Sequence, residues 1–353
     1  MSRGAFESLG DRIATALIIA PPDVARNAVH GARFLPGDHP VPGENSLRAG
    51  EALHRWVSEL ESELPLLVLL SGGGSALVEI PVPGLSLADL VRINRWLLAS
   101  GLDIHGMNTM RARFSCLKRG GLLRLATGRP VDGLVISDVP GDRLEDIASG
   151  PLSPVVAHWP SHVVPVWLQN LHERLPLPSR EMPAGSAQVR IIARNADAVD
   201  AIAVAVKDAG VSLQRREVLE GDAAEQGRCI ARALRDSEPG VHVFGGETTV
   251  RLPPQPGKGG RNQQLALAAA MELAGCDDVL LLALGTDGID GNTEDAGALI
   301  DGGSLQRIRD AGFDAVECLR RANSNAALAA AGDIINTGPT GTNVSDVVIG
   351  WKW

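Results

Sequence analysis

Apolar runs of strand length recur along the chain, and several lead straight into a glycine-rich turn. Leu64–Leu70 (LPLLVLL) runs into Ser71-Gly72-Gly73-Gly74-Ser75, and Gly133–Ile136 into Ser137–Asp142 (SDVPGD). Val241–Phe244 runs into Gly245-Gly246-Glu247, and Val279–Leu284 (VLLLAL) into Gly285–Gly291 (GTDGIDG). Ile334–Ile335 leads into Thr337–Asn343 (TGPTGTN). Near-continuous apolar runs of this length suit strands covered on both faces of a parallel sheet. Helical patterns lie between them. Ser86–Ser100 opens with Ser86 and carries Asp89 three positions on, a variant of the capping box, and stops at Gly101. Ala196–Ala209 (before Gly210), Ala223–Asp236 and Asn262–Ala274 (before Gly275) read as amphipathic helices. Strands alternating with helices predict an open α/β architecture, in which ligands bind where loops gather at the carboxyl ends of strands. The glycine-rich turns fall at those ends.

The length of 353 residues is ample for a full core, and at ~150 residues per domain it suggests roughly two domains. Two stretches look like boundaries. Seven prolines between Pro151 and Pro183 predict an irregular connection with at most one short helix, and Ser237-Glu-Pro-Gly240 is a sharper break. The chain is therefore divided into residues 1–237 and 238–353. A net charge of −9 and 3% aromatic residues, with no Tyr, argue against nucleic-acid binding. The four cysteines, Cys116, Cys229, Cys276 and Cys318, are far apart, which argues against a disulfide framework or a zinc knuckle and for a reducing compartment. No apolar run approaches the ~20 residues of a membrane span, and no basic leader precedes Ala14–Ala20. A cytoplasmic protein is expected, with no membrane partner.

Each turn has a chemical reading and a plainer one. Bare glycines between Ser71 and Ser75 can bring backbone N–H groups to a phosphate, although the loop lacks the Gly-Lys-Ser/Thr ending of a Walker A loop and the GxGxxG spacing; a tight strand–helix turn competes at even odds. Arg111–Arg129 holds six cations, Lys118 among them, with no intervening acid. Such a run is more often a solvated face than an anion site. Asp138 with Asp142, and Asp287 with Asp290, each place two carboxylates on one turn, suitable for Mg²⁺ together with substrate phosphates, or for capping the turn itself. Gly257–Asn262 puts Lys258, Gly259, Gly260 and Arg261 at a helix start, a ready anion site; a hinge is the alternative. Thr340 and Asn343 supply hydroxyl and amide donors that could meet phosphate or ribose. His39, between prolines, is more often structural, and no HExxH or GxSxG motif occurs. The sum suits phosphoryl transfer, in which the protein supplies positioning and electrostatics.

Taken in order, SGGGSAL (71–77), LKRGGLL (117–123), SDVPGD (137–142), IASGP (147–151), GGETTV (245–250), GKGGRNQQLAL (257–267), GTDGIDGNTEDAGA (285–298) and TGPTGTNVSD (337–346) resemble the glycerate 2-kinase family, class II glycerate kinases with a MOFRL-type C-terminal domain. DHPVPGENS (38–46) is similar to the family's HPVP stretch. The resemblance implies two α/β domains, the first Rossmann-like with a mainly parallel sheet, and an active site in the cleft between them. It implies ATP- and Mg²⁺-dependent phosphorylation of D-glycerate to 2-phosphoglycerate. By the same resemblance Ser71–Ser75 would bind phosphate, and Lys118 would hold substrate or phosphate charge. Asp138 and Asp142 match the family's SDVxGD loop. Arg261 would stabilise the moving phosphoryl group or grip the glycerate carboxylate. Asp287, in a loop shared with Asp290, would hold Mg²⁺ or accept the hydroxyl proton. Family members begin with a helix and a strand leading to a Gly-Lys-Ala turn, and this chain is expected to start at about the helix after that turn. Ala76 stands where the family commonly has Ser, and Asn108-Thr-Met-Arg111 replaces Asn-x-Val-Arg. An NAD(P)H-linked hydroxypyruvate reductase, a label some members carry, and an inactive relative lacking the first turn are the alternatives; a homodimer is left open.

Overall fold

The computed structural model describes residues 1–22, 29–61, 63–102, 104–154, 159, 164–179 and 187–353. Two compact units are present, Met1–Ile192 and Ala193–Trp353.

In the first unit β1 (Leu17–Ala20) and β2 (Arg33–Pro36) form a parallel pair. A second sheet has the order β3 (Leu66–Leu70), β4 (Val131–Ile136), β5 (Ala187–Ala193), with β3 and β4 parallel. Both β3 and β4 start within two residues of their sequence-predicted positions. The helix Leu87–Ala99 begins where its capping signal predicts, because the Ser86 hydroxyl accepts the Asp89 N–H at 3.1 Å. Apolar burial is divided. One cluster gathers Ile93, Leu97, Met110, Phe114 and Leu168 among helices, and the other gathers Val57, Leu66, Leu122 and Val131 beside the sheet. The proline-rich stretch lies partly outside the described residues; within it the helix Val166–Arg174 is described.

The second unit holds one six-stranded sheet in the order β10 (Ile334–Ile335), β9 (Gly297–Asp301), β8 (Val279–Gly285), β11 (Asp346–Lys352), β7 (Gly240–Thr249), β6 (Leu213–Asp222). Only β6 and β7 run parallel; β11 enters between β7 and β8 antiparallel to both. The apolar runs at β7 and β8 therefore belong to a mixed sheet rather than the parallel one their composition suggested. The unit begins at Ala193, upstream of the expected break near residue 238, because β6 pairs with β7 along its length and the helix Ala223–Arg235 packs on this sheet.

The helix Arg261–Glu272 departs from its amphipathic reading. Every residue from Asn262 to Ala270 is buried, so it is a core helix covered all round. Its alanines allow that closeness, and so does Gly227 on the neighbouring helix: a Cβ there would lie 2.2 Å from the Leu265 carbonyl oxygen. One continuous core then joins Leu265, Leu267, Leu281, Ile300 and Leu328. No helix among the described residues is long and apolar enough to cross a membrane.

Candidate active-site loops

In the first unit the chain leaves β3 into Ser71–Ser75, and each glycine there answers to a different neighbour. A Cβ on Gly72 would come within 1.9 Å of an Asp138 carboxylate oxygen. Gly73 has φ +80° and precedes the short helix Gly74–Leu77. A Cβ on Gly74 would press to 2.7 Å of the Ala148 Cβ. His39 also borders this loop, its ring carbon Cδ2 lying 3.4 Å from where a Gly73 Cβ would stand. The Ser75 and Ser149 hydroxyls are 2.7 Å apart, and Ser149 donates to Asn108 Oδ1 at 2.8 Å. Asp138, from the turn after β4, is thus brought against the glycine loop, as adjacent parallel strands require. Asp142 is on the same turn at φ +54°.

Lys118 meets an arrangement the sequence did not announce. Its side chain is 2% exposed and its ammonium pairs with Glu79, equally buried. Ser115 donates to the other Glu79 oxygen at 2.5 Å. The ammonium charge of Lys118 is thus met within the fold by the Glu79 carboxylate. The cationic run as a whole is not a solvated face either, since Arg113, Arg119 and Arg129 are buried. Arg113 donates to the carbonyls of Leu175 and Pro176, and Arg129 to those of Glu61 and Leu60. Arginine forks can satisfy several carbonyls at once, so these side chains knit loops together.

In the second unit Arg261 opens the buried helix and stands among carboxylates from three strand ends. Its Nε lies 2.5 Å from Asp346 Oδ2, its Nη2 3.0 Å from Asp346 Oδ1, and its Nη1 2.8 Å from Glu247. Burial by itself would make this guanidinium easier to deprotonate, but the hydrogen bonds and charge of Asp346, with Glu247 and Asp290 nearby, reverse that and hold it above its ordinary pKa. It is a fixed cation with 34% of its side chain exposed. Asp287 approaches the same place: its Oδ1 and that of Asp346 lie 2.9 and 3.6 Å from where a Gly285 Cβ would be. Asp287 Oδ1 also accepts the Ile289 N–H at 3.0 Å, the turn-capping alternative.

Asp290 does something else. It is 1% exposed, and its two oxygens accept the N–H groups of Asn262 at 3.0 Å and Gln263 at 2.8 Å. Burial pushes its pKa up to about 6, against the pull of those bonds. The start of the Arg261–Glu272 helix thus meets a carboxylate of this chain, Asp290, which accepts two of its N–H groups. The glycine stretch before it is likewise tied down: Gly259 N–H donates to Asn292 Oδ1 at 2.9 Å, and a Cβ on Gly260 would collide with Asp290 at 2.3 Å. Thr340 donates its hydroxyl to the Thr286 carbonyl at 2.6 Å and so fastens its loop to the turn after β8, while Asn343 Oδ1 accepts the Ser345 N–H at 2.9 Å within the loop itself.

Three residues central to these arrangements escaped the sequence reading: Glu79, Glu247 as a partner of Arg261, and Asp346. Asp346 had a weak signal, an acid between a hydroxyl-rich loop and an apolar run. Glu79 had none beyond standing alone in an apolar stretch.

Loops at strand ends carrying closely packed glycines, carboxylates and a fixed arginine are features that suit a two-unit α/β protein of the small-molecule kinase kind. Comparison with known proteins agrees. Residues 1–169 match the family model described as a domain of unknown function, DUF4147, and residues 240–346 match the MOFRL family. A D-glycerate 2-kinase of Thermotoga maritima is 33% identical over 99% of this chain and 87% of its own length. A relative from Agrobacterium vitis, provisionally named a hydroxypyruvate reductase, is 37% identical over 95% of this chain and 83% of its own. The crystal structure of a glycerate kinase from Thermotoga maritima superposes with a TM-score of 0.85 at 32% identity, covering 100% of this chain and 88% of the other. The chain belongs to the glycerate 2-kinase family.

Proposed function

We propose that this chain transfers the terminal phosphoryl group of ATP to the 2-hydroxyl of D-glycerate, with Mg²⁺. The observation that carries the reading is Arg261. A guanidinium has five N–H donors in a rigid fork. Three are directed to Asp346 and Glu247, so the side chain is held in one orientation and two remain for a substrate carboxylate or phosphoryl oxygen. A cation fixed beforehand and partly exposed suits a reaction whose transition state spreads charge over phosphoryl oxygens.

In the step itself the hydroxyl oxygen of glycerate bonds to phosphorus, the bond from phosphorus to the ADP oxygen breaks, and the hydroxyl proton passes to a carboxylate. Asp287 is assigned that proton. Ser71 offers its hydroxyl, and the backbone from Ser71 to Ser75 its N–H groups, to the nucleotide phosphates, the Ser75 hydroxyl being held by Ser149. Mg²⁺ needs one or two carboxylates beside phosphate oxygens. Asp138, set against the Gly72 backbone, fits that need, with Asp142 on its own turn. Asp290 does not, its oxygens being committed to the helix start. Bound there, the metal would neutralise phosphate charge. Cytoplasmic location and a small-molecule partner follow from this reading.

The test is a coupled ADP-release assay with D-glycerate and ATP, with and without EDTA. Metal-dependent turnover yielding 2-phosphoglycerate is expected. NAD(P)H oxidation by hydroxypyruvate without ADP release would replace this reading with the reductase one.

A further inference from the structure

Ala148 and Ser149 are left-handed at φ +51° and +61°, and Gly150 follows at +67°. Two consecutive non-glycine residues in that region persist only where their surroundings over-determine them. Here both ends are anchored. Upstream, the Asp146 carboxylate lies 3.7 Å from Arg119 and 3.4 Å from Arg143, and its carbonyl accepts Asn108 Nδ2 at 3.0 Å. Downstream, the Ser149 and Gly150 carbonyls accept the N–H groups of Arg119 at 3.1 Å and Gly120 at 2.8 Å. Between the anchors the segment touches the glycine loop twice. The Ala148 Cβ lies 2.7 Å from where a Gly74 Cβ would be, and the fully buried Ser149 hydroxyl reaches Ser75.

We infer that Ala148–Ser149 is a positioning strap: its strained backbone and the Ser149 hydroxyl hold the Ser71–Ser75 loop in the form that receives nucleotide phosphates. The second half of that statement rests on the function proposed above; the first half does not. Ser149 touches no reacting atom and acts through Ser75.

Two variants separate the hydroxyl from the strain. Ser149→Ala removes the bridge and keeps the strained backbone, whereas Ser149→Gly removes the bridge and relieves the strain. Asn108 retains Arg111 as a donor at 3.2 Å in either, so the network keeps an anchor. Hydrogen exchange read by mass spectrometry needs no ligand. Both variants should speed exchange of the peptide spanning residues 71–77 roughly 10-fold or more relative to peptides from β8 and β11, with Ser149→Gly the more heat-stable of the two. Unchanged exchange at 71–77 in both overturns the strap. In turnover, KM for ATP should rise about 10-fold while KM for glycerate stays within about 2-fold, a split that simple loss of folded enzyme does not produce. A wild-type protein that binds no ATP by calorimetry would remove the phosphate assignment of the loop, and the exchange result would still decide the strap.

Discussion

Lys118 and Arg261 are both cations placed by family motifs, and the two units treat them oppositely. Lys118 is enclosed with a single carboxylate partner, Glu79, both side chains being 2% exposed. Arg261 is gripped by two carboxylates yet keeps 34% of its side chain open. A buried one-to-one pair cancels its own charge and holds β3's following segment to the loop before the Gly121–Leu125 helix. An over-supplied, half-open arginine keeps its orientation and still has donors to offer. Charge in the sequence marks neither role; exposure and the number of partners do.

The comparison can be broken first at the enclosed pair. Glu79→Ala leaves the Lys118 ammonium buried and alone, a change that typically costs about 3–5 kcal/mol, while replacing both residues by Met should cost less than either single change. Urea unfolding of Glu79→Ala, Lys118→Ala and the double Met variant checks this, and equal, small losses would mean that the pair is not enclosed in solution. Next comes the open cation. Arg261→Lys keeps the charge but loses the fork, so kcat/KM should fall by about 10²-fold with the unfolding free energy within about 1 kcal/mol of wild type. Arg261→Ala is the poorer probe, because it strands the Asp346 carboxylate, 1% exposed.

A smaller effect is expected at the helix start. Asp290→Ala leaves the N–H groups of Asn262 and Gln263 without their acceptor and should cost roughly 1–2 kcal/mol. It should also change the pH dependence. A folded pKa of about 6, above the ordinary 3.8, means that the folded chain binds this proton more tightly than the unfolded chain. The resulting stabilisation is complete below pH ~4 and is lost as pH rises through ~6. Chemical unfolding between pH 4 and 7 should show that decline in wild type and a flatter profile in the variant. The smallest change is at the glycine loop: Gly72→Ala must displace Asp138, and KM for ATP should rise by several-fold to about 10-fold. An unchanged KM would separate Asp138 from nucleotide binding.

Local signals in the sequence were enough for elements whose cause is local. The Ser86–Asp89 cap, the strand-length apolar runs before residues 71, 137 and 285, and the helices Asn195–Asp208 and Ala223–Arg235 follow from neighbouring residues and their periodicity. Glycines placed at strand ends located the loops, because backbone close approach excludes a Cβ wherever it occurs. The family's ordered motifs did more than any one loop could.

What the tertiary structure decided is which distant groups meet. Glu79 finds Lys118 across 39 positions, and Arg261 finds Asp346 across 85. Asp290 reaches back to cap a helix that begins 29 residues earlier, and β11 inserts antiparallel between strands that precede it. The same carboxylate is a metal ligand, a cap or a clamp according to the donors that folding delivers to it. Sequence spacing states that an acid is available; burial and partner geometry, which depend on contacts made across the whole sheet, determine what it does.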